Sequence, residues 1–422
     1  MQVGAMIIFV RTRYLKSALV AVFCLLFALG SSFAATVSTR HEVRSNRRIK
    51  ENASTEKRIA TSRHSRAVST RAVKRAKGAP VVAEKKVAGK KSAKRVRYYE
   101  RFTATSFSLD PAAGDSTAGE DPIVREAALS ALGNLNGTVV AIDPSNGRIL
   151  AMVNQKLALS SGAQPCSTIK VSVALAALSE GIVTKDTPVN LGGWKLDMNH
   201  ALAHSNNQYF EALGRRLGFQ KVSYYAHQFG LGELAGWNIE GEHLGIYPSE
   251  ELPARLGGVG KMCSFGESVS MTPLQLGSLM ASIANGGTLY YLQHPRSAAE
   301  VANFSPKVKR YLDIAPLIPE VSVGMLGATQ YGTARSLRTN FTSEQVLGKT
   351  GTCSSAGTRF GWFGSFANSQ YGRIVTVIFL KGDHAVYGPK AAELAGRFYR
   401  NLDEHNYFVG KGVPVRSATL RQ

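Results

Sequence analysis

Residues 164–181 read QPCSTIKVSVALAALSEG. The stretch opens after Pro165, and residues 172–180 are rich in Ala, Val and Leu with few charges. That composition predicts a helix starting at Ser167 and buried on most of its sides. Two polar side chains, Ser167 and Lys170, stand where a core helix has no use for them, and a spacing of three puts them on one face. A serine hydroxyl is a weak nucleophile until a neighbouring base takes its proton. A lysine serves as that base when burial among apolar side chains lowers its pKa. The start of a helix adds outward N–H groups that favour negative charge. The same spacing recurs at Ser54–Lys57 in a basic, polar stretch, so the pattern alone decides nothing.

The surroundings supply the fold. Residues 137–154, GTVVAIDPSNGRILAMVN, are two apolar runs around Asp143-Pro144-Ser145-Asn146-Gly147, a hairpin signal. A mixed loop and helical stretch runs to about residue 245. TPLQLGSLMASIANGG, 272–287, has Pro near its start and a Gly stop, so it is expected to be helical. A further helix is expected over 319–328. Three closely spaced strands follow at 345–353, 359–367 and 373–381, and a last helix at about 389–402. Strands, many helices, strands and a helix in that order predict an α+β fold. Its expected architecture is an antiparallel sheet flanked by helices, with a mostly helical subdomain. No internal repeat is visible.

The chain has 422 residues and a formal net charge of +22, unevenly distributed. Residues 40–101 alone contribute +16, with 21 Lys/Arg against 5 Asp/Glu. From residue 35 to 120 large apolar side chains are rare and no periodicity is visible. This segment is expected to be a disordered tail or linker. Its charge suits anionic lipid headgroups or anionic wall polymers, or a tether without a specific partner. Before it, Arg11, Arg13 and Lys16 precede an apolar run, Ser17–Leu29, and small residues at Ser32 and Ala34 suit cleavage after Ala34. Residues 1–34 are therefore expected to be an export signal or a membrane anchor. Export argues against nucleic acid as the partner of the basic segment. The folded domain is expected over 121–403, with a tail at 404–422. Beyond Cys24 the cysteines are Cys166, Cys263 and Cys353, which leaves room for one bridge and one free thiol; their spacing suggests no metal site.

Two more triplets accompany the first. Ser205-Asn206-Asn207, inside HSNNQYF, reads either as a turn or helix cap or as a pair of polar groups for a site. Lys349-Thr350-Gly351-Thr352, inside VLGKTGTC, falls in an expected strand. Gly there marks close approach of another backbone or a ligand, and the lysine with its hydroxyls suits a carboxylate. The plainer alternative is an edge strand with an exposed lysine. In the order Ser-x-x-Lys, Ser-x-Asn, Lys-Thr-Gly, the three resemble the signature of penicillin-binding proteins and serine β-lactamases. VVAIDPSNGRILAMV, MTPLQLGSLMASIANGGTL, GTARSL, GWFGSFA and GPKAAELAGRFY extend the resemblance to the transpeptidase domain, over roughly residues 125–403.

The resemblance implies a role for each matching position, and no cofactor or metal. Ser167 would attack the penultimate D-Ala carbonyl of a peptidoglycan stem peptide, with Lys170 as general base. Ser205 would pass a proton to the leaving amine, and Asn207 would orient Lys170 and the substrate amide. Lys349, Thr350, Gly351 and Thr352 would line the substrate site, holding the terminal carboxylate. The N–H groups of Ser167 and Thr352 would form the oxyanion hole. A β-lactam, presenting a similar carbonyl and carboxylate, would acylate the same serine. The expected function is thus a D,D-transpeptidase or D,D-carboxypeptidase outside the cytoplasm, secreted or anchored to the inner membrane. The alternative is a β-lactamase or β-lactam sensor of the same superfamily, and a catalytically idle wall-binding module is a third reading. Ser167 and Ser205 stand closer in sequence than the large transpeptidases lead one to expect. Cys166 stands where the family usually has Gly, and Cys353 where Ala is common. They are expected either to form a disulfide pinning the nucleophile helix to the strand or to be two small buried residues. Glu267 is expected to line the site without acting as acid or base. His200 and His204 are expected to stand outside the chemistry, and Trp362 and Phe363 to pack the core or the cleft rim.

Overall fold

The computed structural model describes residues 100–369 and 372–408. The expected export segment, the basic segment up to residue 99 and residues 409–422 lie outside these. Among the described residues no helix is long and apolar enough to cross a membrane.

Five strands form one antiparallel sheet: β1 (Gly137–Ile142), β2 (Ile149–Val153), β3 (Val346–Ser355), β4 (Thr358–Ser369) and β5 (Gly372–Gly382). Their spatial order is β2-β1-β5-β4-β3, so β3 has one free edge. Helices cover both faces, which is why the strands read as apolar runs rather than as an alternation of apolar and polar residues. Period two still sorts their side chains. Val140, Ile142, Val377, Phe379 and Trp362 join one core, while Val139, Ala141, Ile378, Leu380 and Phe363 join the other. Trp362 and Phe363 are thus core residues on opposite faces, and Trp362 stacks on Phe379 at 3.9 Å between centroids.

Helix α1 (Pro122–Leu132), absent from the sequence reading, packs with α7 (Gly388–Glu404) on one face. Asp121 caps α1, accepting from the N–H groups of Ile123 and Val124. On the other face lie α2 (Lys170–Ser179), α3 (Asn207–Gln228), α4 (Gly258–Phe265) and the fully buried α5 (Pro273–Ala284). Thr272 and Gln275 make a capping box at the start of α5. Helix α6 (Ile318–Gln330) packs against β3. Every strand and helix singled out in the sequence is present, within a few residues of its expected ends.

Three expectations are corrected. The chain does not enter α-helix at Ser167; Cys166–Ile169 is a 3₁₀ turn, and α2 begins at Lys170. Order begins before Asp121, since residues 100–120 lie along the domain and are held by polar anchors. The Ser106 hydroxyl donates to Asp383 at 2.6 Å, and Asp115 accepts from the N–H groups of Asn154 and Gln155. A sparsely apolar composition hides such anchors because each has its partner far away in sequence. Likewise the domain does not end at residue 403: Tyr407 and Phe408 are buried in the core under α1 and α7.

Candidate active site

The 3₁₀ turn decides how the site opens. Three residues per turn eclipse the side chains at i and i+3, so Ser167 and Lys170 stand one above the other. Lys170 Nζ lies 2.6 Å from Ser167 Oγ, 2.8 Å from Asn207 Oδ1 and 2.5 Å from the Ser264 carbonyl oxygen. A neutral amine has two N–H donors and one lone pair. Lys170 Nζ donates to Asn207 and to the Ser264 carbonyl, and its contact with Ser167 Oγ, a donation while the amine is charged, is one through which a neutral amine could accept the hydroxyl proton. Lys170 is fully buried, with Phe210 and Phe265 rings within 6 Å. Burial, followed by the positive charge of Lys349, holds its pKa well below the usual lysine range, and Lys261 adds to this while Glu211 opposes it. The arrangement sets a serine hydroxyl against a desolvated amine.

The second triplet divides its labour. Asn206 is the N-cap of α3, its Oδ1 accepting the Tyr209 N–H at 2.9 Å, so the cap reading holds for the middle residue. The flanking residues reach the site. Asn207 opens the helix towards Lys170. Ser205 adopts a left-handed backbone, φ 58°, and its hydroxyl accepts from Lys349 Nζ at 2.8 Å.

Lys349 is on β3 yet fully buried, which overturns the alternative of an exposed edge lysine. It also donates to the Thr350 carbonyl at 3.0 Å. Burial lowers its pKa to about 7. Gly351 is required by close approach: a Cβ there would stand 2.8 Å from the Pro165 carbonyl oxygen and 3.3 Å from the Cys166 Cβ. The absent side chain lets β3 lie against the 3₁₀ turn that carries Ser167. Thr350 shares a 2.6 Å hydrogen bond with Thr333, and Thr352 Oγ1 accepts the Gly388 N–H at 2.7 Å. Accepting that bond leaves the Thr352 hydroxyl proton free to donate into the cleft.

Cys166 and Cys353 are joined by a disulfide with Cα atoms 5.6 Å apart, and Cys263 is free and buried. The bridge ties the residue before Ser167 to the residue after Lys-Thr-Gly-Thr. Cys166 has a left-handed φ of 53°. The Gln164 carbonyl beside it accepts the Trp362 Nε1–H at 3.0 Å.

The structure therefore gathers Ser167, Lys170, Ser205, Asn207, Lys349, Thr350, Gly351 and Thr352 around one cleft at the free edge of β3. Glu267 lines an adjoining cavity of about 570 Å³ with Gln164, Ser355 and Lys381. His200 pairs with Asp197, and His204 packs on Tyr331. The sequence reading missed Thr333, although the stretch GTARSL around it stood out. It also missed Ser264, which acts through its backbone carbonyl and so leaves no side-chain signal, and Glu211.

Residues 137–400 match the family described as the penicillin binding protein transpeptidase domain. The chain is 30% identical over 257 residues to stage V sporulation protein D of Bacillus subtilis, covering 50% of this chain and 39% of that protein. It is 26% identical over 364 residues to the peptidoglycan D,D-transpeptidase MrdA of Acinetobacter baumannii, covering 68% and 53%. The chain thus spans about half or less of the length of these relatives. The solved D,D-transpeptidase domain of a peptidoglycan glycosyltransferase from Eggerthella lenta shares the fold, with a TM-score of 0.54 and 20% identity over 68% of this chain and 82% of that one.

Proposed function

The chain belongs to the penicillin-binding protein transpeptidase domain family, and from that premise we propose that it is a serine acyl-transfer enzyme acting on peptidoglycan stem peptides. The observation that carries the reading is the contact of Ser167 Oγ with a buried, desolvated Lys170 amine at 2.6 Å. As the Ser167 oxygen bonds to the penultimate D-Ala carbonyl carbon, its proton passes to Lys170. The carbonyl π pair moves onto oxygen, which the Ser167 and Thr352 N–H groups stabilise. Collapse breaks the C–N bond to the terminal D-Ala, and Ser205, resupplied by the Lys349 ammonium, protonates the leaving amine. Lys170 is then protonated and Lys349 neutral. Attack by an incoming amine or water runs the sequence backwards: the nucleophile's proton goes to the Ser205–Lys349 pair, and Lys170 returns its proton to Ser167. The Thr350 and Thr352 hydroxyls and Lys349 hold the terminal carboxylate. Transpeptidase and carboxypeptidase differ in this scheme only in which nucleophile arrives.

The disulfide supports a site of action outside the cytoplasm, where thiols oxidise and peptidoglycan is assembled. In this reading residues 1–34 export or anchor the chain, and the basic segment contacts anionic lipid or wall polymer.

A labelled penicillin incubated with the full chain, followed by peptide mapping over time, tests the proposal. A long-lived adduct on Ser167, absent from Ser167→Ala, is expected. A short-lived adduct with steady hydrolysis would make the protein a β-lactamase instead. A folded protein that takes no label would overturn the reading.

A further inference from the structure

Glu211 stands one helical turn beyond Asn207 on α3 and has no part in the mechanism above. Its carboxylate lies 3.5 Å from Lys261 Nζ on α4 and 3.7 Å from Arg215 on its own helix. It also accepts the Ser264 hydroxyl at 3.4 Å. Ser264 is fully buried, and its carbonyl oxygen holds the Lys170 amine at 2.5 Å. The same serine thus faces the carboxylate with its side chain and the general base with its backbone. Lys261 lies 4.5 Å from the centroid of the Phe265 ring, which also flanks Lys170. A carboxylate and an ammonium, both partly exposed, are therefore held side by side behind the base.

We infer that Glu211 is a positioning residue for the acylation reaction: it holds Ser264 so that its carbonyl orients the Lys170 amine, and its charge, balanced by Lys261, sets the pH at which that amine becomes a free base. The inference rests on the acyl-transfer reading and deepens it. The charged groups around Lys170 are few. Lys349 faces it from β3, Glu211 from α3 with Arg215 beyond, and Lys261 from α4; Cys263, also on α4, is held neutral by burial that pushes its thiol up to about 12. Negative charge on Glu211 favours the ammonium form of Lys170 and positive charge on Lys261 disfavours it. Removing either one shifts the base in opposite directions.

The experiment measures the second-order rate of Ser167 acylation by a labelled penicillin from pH 5 to 9. It uses the full chain and its Glu211→Gln, Lys261→Met and doubly substituted variants, each checked for folding by circular dichroism. The rate rises with pH as Lys170 loses its proton. Glu211→Gln is expected to move this limb to lower pH, raising the rate at the acid end relative to the plateau by about threefold. Lys261→Met is expected to move it to higher pH by a similar factor, and the double variant to lie between the two. Limbs that do not move, or that move the same way in both single variants, overturn the inference, because loosening the helix pair would lower the rate at every pH alike. Should Glu211→Gln not fold, the direction of the Lys261→Met shift decides. A parent protein that takes no label overturns the acyl-transfer reading itself, a result distinct from a labelled parent with unmoved variants.

Discussion

Two lysines are fully buried in this cleft without a carboxylate in contact with either, so for each the charged form is penalised. For Lys349 the consequence for stability can be worked out in sign. Its folded pKa is about 7, below the unfolded value of 10.5. Between those two values the unfolded chain binds more protons at this site than the native one, so stability rises with pH across that window. Below pH 7 both states carry the proton and the native state bears the full penalty. Lys349→Met removes the penalty along with the chemistry. It is expected to abolish acylation while raising stability near neutral pH by about 1–3 kcal/mol, an advantage that shrinks towards pH 10. Thermal melts of parent and variant from pH 6 to 10 check this: the two curves should converge as pH rises, and parallel curves would remove the burial argument. The residue-level logic is that of an active site that trades stability for a poised proton.

At the scale of elements, the nucleophile turn, β3 and the start of α7 meet edge to side with little slack. Gly351 lets the Pro165 carbonyl in, and the Gly388 N–H at the start of α7 reaches the Thr352 hydroxyl. The disulfide fixes the first of these contacts, closing a loop across a sequence separation of 187 residues. Cys353→Ala is expected to cost about 2–5 kcal/mol of stability and to slow acylation of Ser167 without abolishing it, because Ser167, Lys170 and Lys349 keep their own partners. Site-resolved alkylation gives the supporting count. Native protein should leave Cys166, Cys263 and Cys353 unmodified; of these three, denaturation should expose only Cys263, and only reductant should release the other two. Label on Cys166 or Cys353 in unreduced, denatured protein would refute the bridge. The elements themselves were legible because apolar runs and punctuation by Pro and Gly are local signals. The hairpin of β1 and β2, the Pro and Gly that bound α5 and the three C-terminal strands all carry them. The eight cleft residues were legible as triplets, each brought in by one element. Thr333, Ser264 and Glu211 were not, since each acts through a partner distant in sequence, and Ser264 acts through an atom common to every residue.

Over the whole molecule, the leading segment is anchored at both edges of the sheet. Residues 100–104 are tied to the β3–β4 turn, where the Thr103 N–H donates to the Gly357 carbonyl at 2.8 Å and the Ser354 hydroxyl to Glu100 at 3.3 Å, whereas the stretch around Asp115 and Glu120 is tied in near β2, the edge opposite the cleft, where Arg125 bridges Asp115 at 2.7 Å and Glu120 at 3.2 Å. The same guanidinium donates to the Met152 carbonyl at 2.8 Å, and Glu120 accepts from His294 at 3.0 Å and from the Met152 N–H at 2.9 Å. Both carboxylates are nearly inaccessible to solvent. Arg125→Met would strip them of their cation and leave two buried charges uncompensated, a loss expected to cost about 3–5 kcal/mol. Four strand spacings of about 4.8 Å put this cluster about 19 Å from β3. The sheet between them is closely packed on both faces, so the cleft geometry should survive the loss. The expected outcome is a variant with a clearly lower melting temperature whose acylation rate, measured well below that temperature, stays within about twofold of the parent. A rate that falls together with the melting temperature would mean that the Arg125 cluster and the cleft move as one unit.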